Sequence, residues 1–205
     1  MIIDTKDMLK SILTSISQIK YVEPGDIPNI DLYMDQVTTF MEEHLRSSKR
    51  YEDDKVLTKT MINNYAKNNL LPPPVKKKYS KEHVLVMIFI YYFKNILSIK
   101  DIETLLTPIT DKYFNNDDGM DMTDIYNEVM ELEKSRINLV TKDIAKSFHN
   151  AAECFSDVQE EDQHYLQLFA FICSLSFDIY VKKLLMQRLI DEFGAKEDTK
   201  DKKKK

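Results

Sequence analysis

The chain has 205 residues and a net charge of −5, and its composition, 43% hydrophobic and 31% charged, is that of a globular protein. Only three glycines occur, which disfavours glycine-rich phosphate loops and tight hairpins and favours an all-α protein. The two cysteines, Cys154 and Cys173, fit a reducing compartment better than a disulfide scaffold.

The N-terminal part of the chain contains two predicted helices. Apolar residues at helical spacing predict an amphipathic helix over residues 5–20, and "YVEPGDIPN" then breaks it. The segment "IDLYMDQVTTFMEEHL" predicts a second helix, which the charged connection "RSSKRYEDD" follows. Asp4 and Asp7 stand where an export signal needs a basic and then an apolar region, so we expect a cytoplasmic protein.

A third helix is predicted over residues 57–69, with Thr58 as its N-cap. Asn69 stands where helices often end in a left-handed residue. The prolines at 72–74 cannot continue the helix and hold an extended backbone. We expect the packing side of this segment to consist of Leu57, Ile62, Tyr65, Leu70 and Leu71.

The next predicted helix contains "VLVMIFIYYF", a run of ten apolar or aromatic residues around Ile88. Ser80 is its N-cap, but His83 stands where a capping box needs Glu or Gln, so we expect that box to be incomplete. A helix that is apolar on all sides has to be covered on most of them. The segment "SIKDIETLL" predicts the start of another short helix, with Ile102, Leu105 and Leu106 as its buried stripe.

Beyond Pro108 the pattern is again helical. "NNDDGMD" predicts a loop, and helices are expected over residues 123–138 and 141–155, capped by Thr123 and Thr141. Residues 161–193 predict one long or one broken helix, whose apolar run "LFAFICSLSF" is too short to span a bilayer. We therefore expect no membrane partner.

These patterns suggest four segments. They are an N-terminal amphipathic helix (1–25), a central domain (26–110), a C-terminal helical region (111–193) and a disordered tail (194–205). We expect the C-terminal region to serve as a homodimer interface or as the site of a small-molecule or protein effector.

Charge is distributed unevenly along the chain. Residues 55–100 carry nine basic and one acidic group, whereas residues 101–193 carry eight basic and nineteen acidic groups. A basic segment in an acidic chain is typical of a polyanion-binding surface. The basic groups follow one another in "LTKTMINNYAKNNLLPPPVKKKYSKEHV", from Leu57 to Val84.

A polar helix face followed by a stiff basic loop is what a winged helix uses to bind double-stranded DNA, with the helix in the major groove and lysines of the loop on phosphates. An ordinary amphipathic helix beside a solvated lysine-rich loop would give the same composition, so both interpretations stand. The candidate DNA-binding residues are Lys59, Thr60, Asn63, Asn64, Lys67, Lys76, Lys77, Lys78, Tyr79 and Lys81.

The same stretch resembles the DNA-binding module of the MerR family of transcriptional regulators. That family has a Ser- or Thr-capped recognition helix ending in a Tyr, then a "GLL-x-P" turn, then a basic wing ending in a Tyr before Ser. Thr58 and Tyr65 match the helix, Asn69 stands at the glycine, and "SIKDIETLL" matches the last helix. Leu70, Leu71 and Pro73 match the turn, and Lys77, Tyr79 and Ser80 match the wing. The resemblance implies a MerR-like winged helix-turn-helix that regulates transcription.

The family's helix-borne arginine and first tyrosine are Asn63 and Asn64 here. Asparagine can pair with the edge of adenine, so DNA recognition stays a hypothesis with altered contacts. The alternative is a protein-interaction module that retains the winged-helix shape without binding DNA.

A second resemblance covers more of the chain. "DLYMDQVTTFMEEHL", "LTKTMINNYAKN" and "KKKYSKEHV" are similar to an uncharacterised, mostly Gram-positive bacterial family catalogued as domain of unknown function 1836. The family brings no established activity.

The sequence contains no pattern that is typical of a catalytic site or of a cofactor-binding site. No Ser/His/Asp set, paired carboxylates or phosphate loop stands out, so we expect no enzyme and no cofactor. His149, Cys154, His164 and Cys173 lack metal-ligand spacing, and "DDGMDMTD" lacks the ligand spacing of a calcium loop, so we expect no metal.

Overall fold

A computed structural model of the chain describes the backbone of residues 5–17 and 21–201, and the side chains of residues 7, 9–16 and 21–195. This part of the chain is mostly helical, with seven α-helices and a two-stranded sheet, which confirms the all-α prediction. The end of the first predicted helix, at residues 18–20, and the last four residues of the predicted tail lie outside the described residues.

The elements follow one another in the order α1 (Thr5–Ser17), β1 (Leu32–Tyr33), α2 (Met34–Leu45), a 3₁₀ turn (Arg46–Ser48), α3 (Lys59–Lys67), β2 (Lys78–Tyr79), α4 (Lys81–Phe93), α5 (Ile99–Tyr113), α6 (Met122–Ala152) and α7 (Glu160–Asp201).

The chain divides into two compact units. One contains residues 20–131 and 187–205, and the other contains residues 1–19 and 132–186. Residues 111–131 therefore group with the central segment, and the expected boundary at residue 110 does not coincide with this division. The reason is burial, because Met122, Tyr126 and Met130 are core residues.

Helix α4 forms the centre of the larger unit. Every residue from His83 to Tyr91 is buried, as its apolar sequence requires. Its cover comes from elements far apart in sequence, since the Phe89 ring meets Tyr126 of α6 at 5.5 Å and the Tyr91 hydroxyl bonds Ser48. Tyr126 also donates a hydrogen bond to the Val22 carbonyl (2.7 Å), which ties the segment before β1 to α6.

The start of α4 is capped more completely than the sequence suggests. The Ser80 backbone N–H donates to Nδ1 of His83 (2.9 Å), and the Ser80 hydroxyl lies 2.8 Å from the same atom. The expectation of an incomplete capping box was therefore wrong, because the acceptor nitrogen of a neutral histidine replaces the Glu or Gln oxygen.

Later helices are longer than the sequence predicts. Helix α5 continues through Pro108 to Tyr113, and α6 is one helix where two were expected. Thr141 lies inside α6 and bonds the Ile137 carbonyl (2.8 Å) instead of capping a new helix. The start of α6 is capped by Asp121, which accepts from the Asp124 N–H (2.9 Å), and not by Thr123.

The tail also differs from its prediction, because α7 continues to Asp201 through much of the segment expected to be disordered.

The capping role of His83 predicts a pH-dependent stability. Burial lowers the pKa of His83 below its ordinary value, although the nearby carbonyls of Pro72 and Pro73 favour the charged ring. As the pH falls through about 6.5, His83 therefore binds a proton in the unfolded chain, whereas in the folded protein it stays neutral to a lower pH. Stability should fall as the pH drops below that value, by at most about 1.4 kcal/mol per pH unit for one proton.

His83→Gln should retain the cap without titrating, so its stability should change less between pH 7 and pH 5 than that of the unchanged protein. Urea unfolding at both pH values measures this difference. His164→Gln, the same substitution at an exposed histidine outside the cap of α4, is the control. An equal pH dependence in the unchanged protein and in His83→Gln would contradict the capping account.

Candidate nucleic-acid interface

Helix α3 presents one apolar and one polar side. The Thr58 hydroxyl accepts from the Met61 N–H (3.2 Å), which fixes the first turn. Ile62 and Tyr65 are buried, as predicted. The opposite side faces solvent and consists of Lys59, Thr60, Asn63, Asn64 and Lys67.

The end of α3 follows the sequence prediction closely. Asn69 adopts a left-handed backbone (φ 57°), and the N–H groups of Leu70 and Leu71 bond the Tyr65 carbonyl at 2.9 and 3.3 Å. Both leucines are buried, and so are the other predicted packing residues, Leu57 and Ile88. The chain therefore leaves the helix in a fixed direction.

The lysine run forms a tight hairpin. Val75 and Lys78 exchange two backbone hydrogen bonds, of 3.1 and 2.9 Å, around Lys76 and Lys77. Both central residues have positive φ angles, 51° and 65°, as in a type I′ turn. This geometry places Lys76 and Lys77 at the exposed tip of the hairpin.

The hairpin is anchored by strand β1. Leu32 pairs with Tyr79 and Tyr33 pairs with Lys78 in antiparallel register. The Lys78 ammonium lies 5.1 Å from the centre of the Tyr33 ring, and Tyr33 is exposed. Tyr33 is a surface residue that the sequence interpretation missed, because the strands that pair are about forty-five residues apart.

Tyr79 does not belong to the exposed surface. Only 3% of it is accessible, its ring meets His83 edge-on at 5.5 Å, and burial raises its pKa. Its position in β2 points the side chain into the core, opposite to Lys78. We therefore assign Tyr79 to packing, while Lys78 and Lys81 are partly exposed.

The charged connection between α2 and α3 is fixed by Glu42. One carboxylate oxygen accepts from the Lys49 ammonium (2.6 Å) and the other from the Val56 N–H (3.3 Å). Lys49 is almost fully buried and also donates to the Glu52 carbonyl (2.6 Å). The hydrogen bond from Lys49 holds the pKa of Glu42 below its ordinary value, although burial opposes this.

Lys94, the residue that caps the C-terminal end of α4, also bonds the connection between α2 and α3. The Lys94 ammonium donates to the Val56 carbonyl (2.6 Å) and lies 4.8 Å from the centre of the Tyr91 ring. Burial lowers the pKa of Lys94. Because Val56 is bonded through both its N–H and its carbonyl, the start of α3 is fixed to α2 and α4.

One acidic residue lies beside the basic surface. Lys59, in the first turn of α3, forms an ion pair with Asp35 of α2, and both side chains are mostly exposed. An exposed pair of this kind contributes little to stability, at most about 1 kcal/mol. It does reduce the positive charge that the N-terminal end of α3 offers to a phosphate.

The described residues contain neither a candidate metal site nor a membrane-spanning helix. Within the described ranges, no group of three or more His, Cys, Asp or Glu side chains could hold a metal ion. None of the helices in this part of the chain is long and apolar enough to cross a bilayer. Cys154 and Cys173 are free and exposed.

Residues 22–129 match the sequence model of a family described as a domain of unknown function, DUF1836. The match spans just over half of the 205 residues, so the chain belongs to this family. The matched range lies within residues 20–131, the continuous part of the larger unit that carries α3 and the hairpin. Searches of curated proteins and of solved structures find no match.

The role of Glu42 can be measured directly. Glu42→Gln leaves the buried Lys49 ammonium without its carboxylate, and we expect a loss of about 1–3 kcal/mol in the free energy of unfolding at pH 7. Because the pKa of Glu42 is lowered, this difference should shrink as the pH falls below about 4.5. Glu43→Gln, at an exposed neighbour, should change stability little. Equal losses in the two variants would contradict the anchoring role.

Proposed function

We propose that the larger unit is a MerR-like winged helix that binds double-stranded DNA and regulates transcription. The observation that supports this most is the exposed polar face of α3 together with the two lysines at the hairpin tip. Helix α2 contacts both α3 and the two strands, so a common scaffold positions both elements.

The side chains on this surface have the chemistry that DNA binding needs. An α-helix fits the major groove, where Asn63 and Asn64 can accept from and donate to the N6 and N7 edge of adenine. Lys67 and the hairpin lysines are suited to phosphates, whose contacts fix orientation without reading sequence. The MerR family has an arginine and a tyrosine at the positions of Asn63 and Asn64. Their replacement here would shift the contacts with the DNA backbone from the helix to the hairpin.

The hairpin turn supports this assignment. Type I′ turns favour Asn-Gly, because two successive positive φ angles are costly for other residues. Lys76 and Lys77 occupy those positions, and each left-handed residue costs roughly 1–2 kcal/mol. Backbone preference does not account for two lysines there, whereas contact with a polyanion does.

The variant Lys76→Asn/Lys77→Gly separates folding from binding. It should be more stable than the unchanged protein, by about 1 kcal/mol or more, because Asn and Gly adopt positive φ angles with less backbone strain than two lysines. It should bind duplex DNA less well, and the slope of log K against log salt should flatten by about 0.9 for each lost phosphate contact. Fluorescence anisotropy with a labelled duplex across salt concentrations measures this slope.

Lys142→Gln/Lys146→Gln is the matched control, since both lysines are exposed on α6 and belong to the smaller unit. It removes the same charge and should leave the slope nearly unchanged. A protein that shows no salt-sensitive binding to any duplex, or a hairpin variant that keeps the full slope, would contradict the proposal.

The ion pair between Lys59 and Asp35 favours a second candidate, a protein-interaction module with the winged-helix shape. An exposed carboxylate beside the N-terminal end of α3 repels phosphates and suits a partner with mixed charge. Asn63 and Asn64 on the same face are equally suited to hydrogen bonds with a protein.

Asp35→Asn discriminates the two candidates. If the face binds DNA, removal of the carboxylate frees Lys59 and should tighten duplex binding severalfold at low salt. Asp53→Asn, at an exposed position in the connection before α3, should have a smaller effect. Absence of duplex binding in both variants, with recovery of a protein partner from the host, would favour the interaction module.

A further inference from the structure

A row of three side chains crosses the small sheet at the base of the hairpin. Tyr33 stands opposite Lys78, and Lys78 stands opposite Val75, in antiparallel pairs. Residues that are directly opposite each other in such a sheet point to the same side. Leu32 and Tyr79 point to the other side and are buried, so the three side chains of the row face solvent. Tyr33, Lys78 and Val75 are termed the sheet row.

The sheet row is exposed, and its aromatic end is held in place. Tyr33 and Val75 are 55% and 66% exposed. The Lys78 ammonium lies 5.1 Å from the centre of the Tyr33 ring, and the Tyr33 N–H donates to the Gln36 side chain (2.8 Å). The Tyr33 hydroxyl, by contrast, is bonded to none of the residues that the structure describes. A restrained ring with an available hydroxyl donor loses little conformational freedom when it binds a partner.

The sheet row borders both elements of the proposed DNA-binding surface. Lys78 follows directly on the two lysines at the hairpin tip. On the other side, Asp35 lies two residues after Tyr33 and forms an ion pair with Lys59 in the first turn of α3. The carboxylates of Asp31 and Asp35 flank Tyr33 in sequence, and the pair with Lys59 offsets the charge of the second.

From this arrangement we propose that the sheet row binds the sugar–phosphate backbone of the DNA beside the groove that α3 enters. The Tyr33 hydroxyl and the Lys78 ammonium donate to phosphate oxygens, as tyrosine and lysine side chains commonly do in protein–DNA complexes. The Tyr33 ring and the Val75 side chain pack against deoxyribose. The inference rests on the proposed DNA-binding function and adds to it a neutral hydrogen-bond donor and an apolar contact.

Removal of one hydroxyl tests the phosphate contact. Tyr33→Phe keeps the ring, and its affinity for duplex DNA at low salt should fall about fivefold, because a hydrogen bond to a charged group is lost. The slope of log K against log salt should not change, since no cation is removed, whereas Lys78→Gln should flatten it by about 0.9. Fluorescence anisotropy with a labelled duplex measures both. Tyr165→Phe, at an exposed tyrosine of the smaller unit, is the control and should bind like the unchanged protein.

A fluorescent reporter tests the location independently. The chain contains no tryptophan, so Tyr33→Trp places a single such fluorophore in the sheet row. Tryptophan also preserves the contact of an aromatic ring with the Lys78 ammonium. A saturating duplex should shield this fluorophore from quenching by acrylamide. Tyr165→Trp is the matched control, and its quenching by acrylamide should be the same with and without the duplex.

The inference and the proposed function fail in different ways. Absence of salt-sensitive duplex binding in the unchanged protein would contradict both. Duplex binding that depends on the hairpin lysines but that Tyr33→Phe leaves at full strength would overturn the sheet row alone. Duplex binding that leaves the fluorophore of Tyr33→Trp open to acrylamide would overturn it in the same way.

Discussion

The larger unit depends on the complete burial of α4. Nine consecutive residues, from His83 to Tyr91, have no solvent-facing side, so the helix requires neighbours all around it. Its contacts reach the hairpin through Tyr79 and α6 through Tyr126. The hydrophobic effect thereby gathers segments that are distant in sequence around α4, and the hairpin of the candidate interface packs against this helix.

The burial of α4 does not by itself determine where α3 begins or where the hairpin lies. Polar contacts fix both positions. Glu42 and Lys94 bond the two sides of the Val56 peptide, while His83 fixes the turn from the hairpin into α4. Each of these side chains is partly or fully buried, so the loss of one partner leaves the other desolvated and unpaired. The geometry of the exposed face is thus coupled to the stability of the unit.

Much of this organisation could be predicted from the sequence, and the failures have physical causes. Helical spacing, the cap at Thr58 and the left-handed Asn69 are local signals, and the structure agrees with them. The pairing of β1 with β2 could not be predicted, because strands of two residues carry no periodicity. The ion pair of Lys59 with Asp35 depends on how α2 meets α3, and such tertiary contacts leave no mark in one sequence.

The central claim is that the polar face of α3 and the lysine hairpin together form the surface that binds duplex DNA. Backbone amide NMR during titration with a duplex tests it most directly, because it locates contacts residue by residue. The account predicts salt-reversible shifts confined to α3, to residues 75–78 and to strand β1, which pairs with the hairpin. Shifts that spare α3 and residues 75–78, or that concentrate on α7, would contradict it.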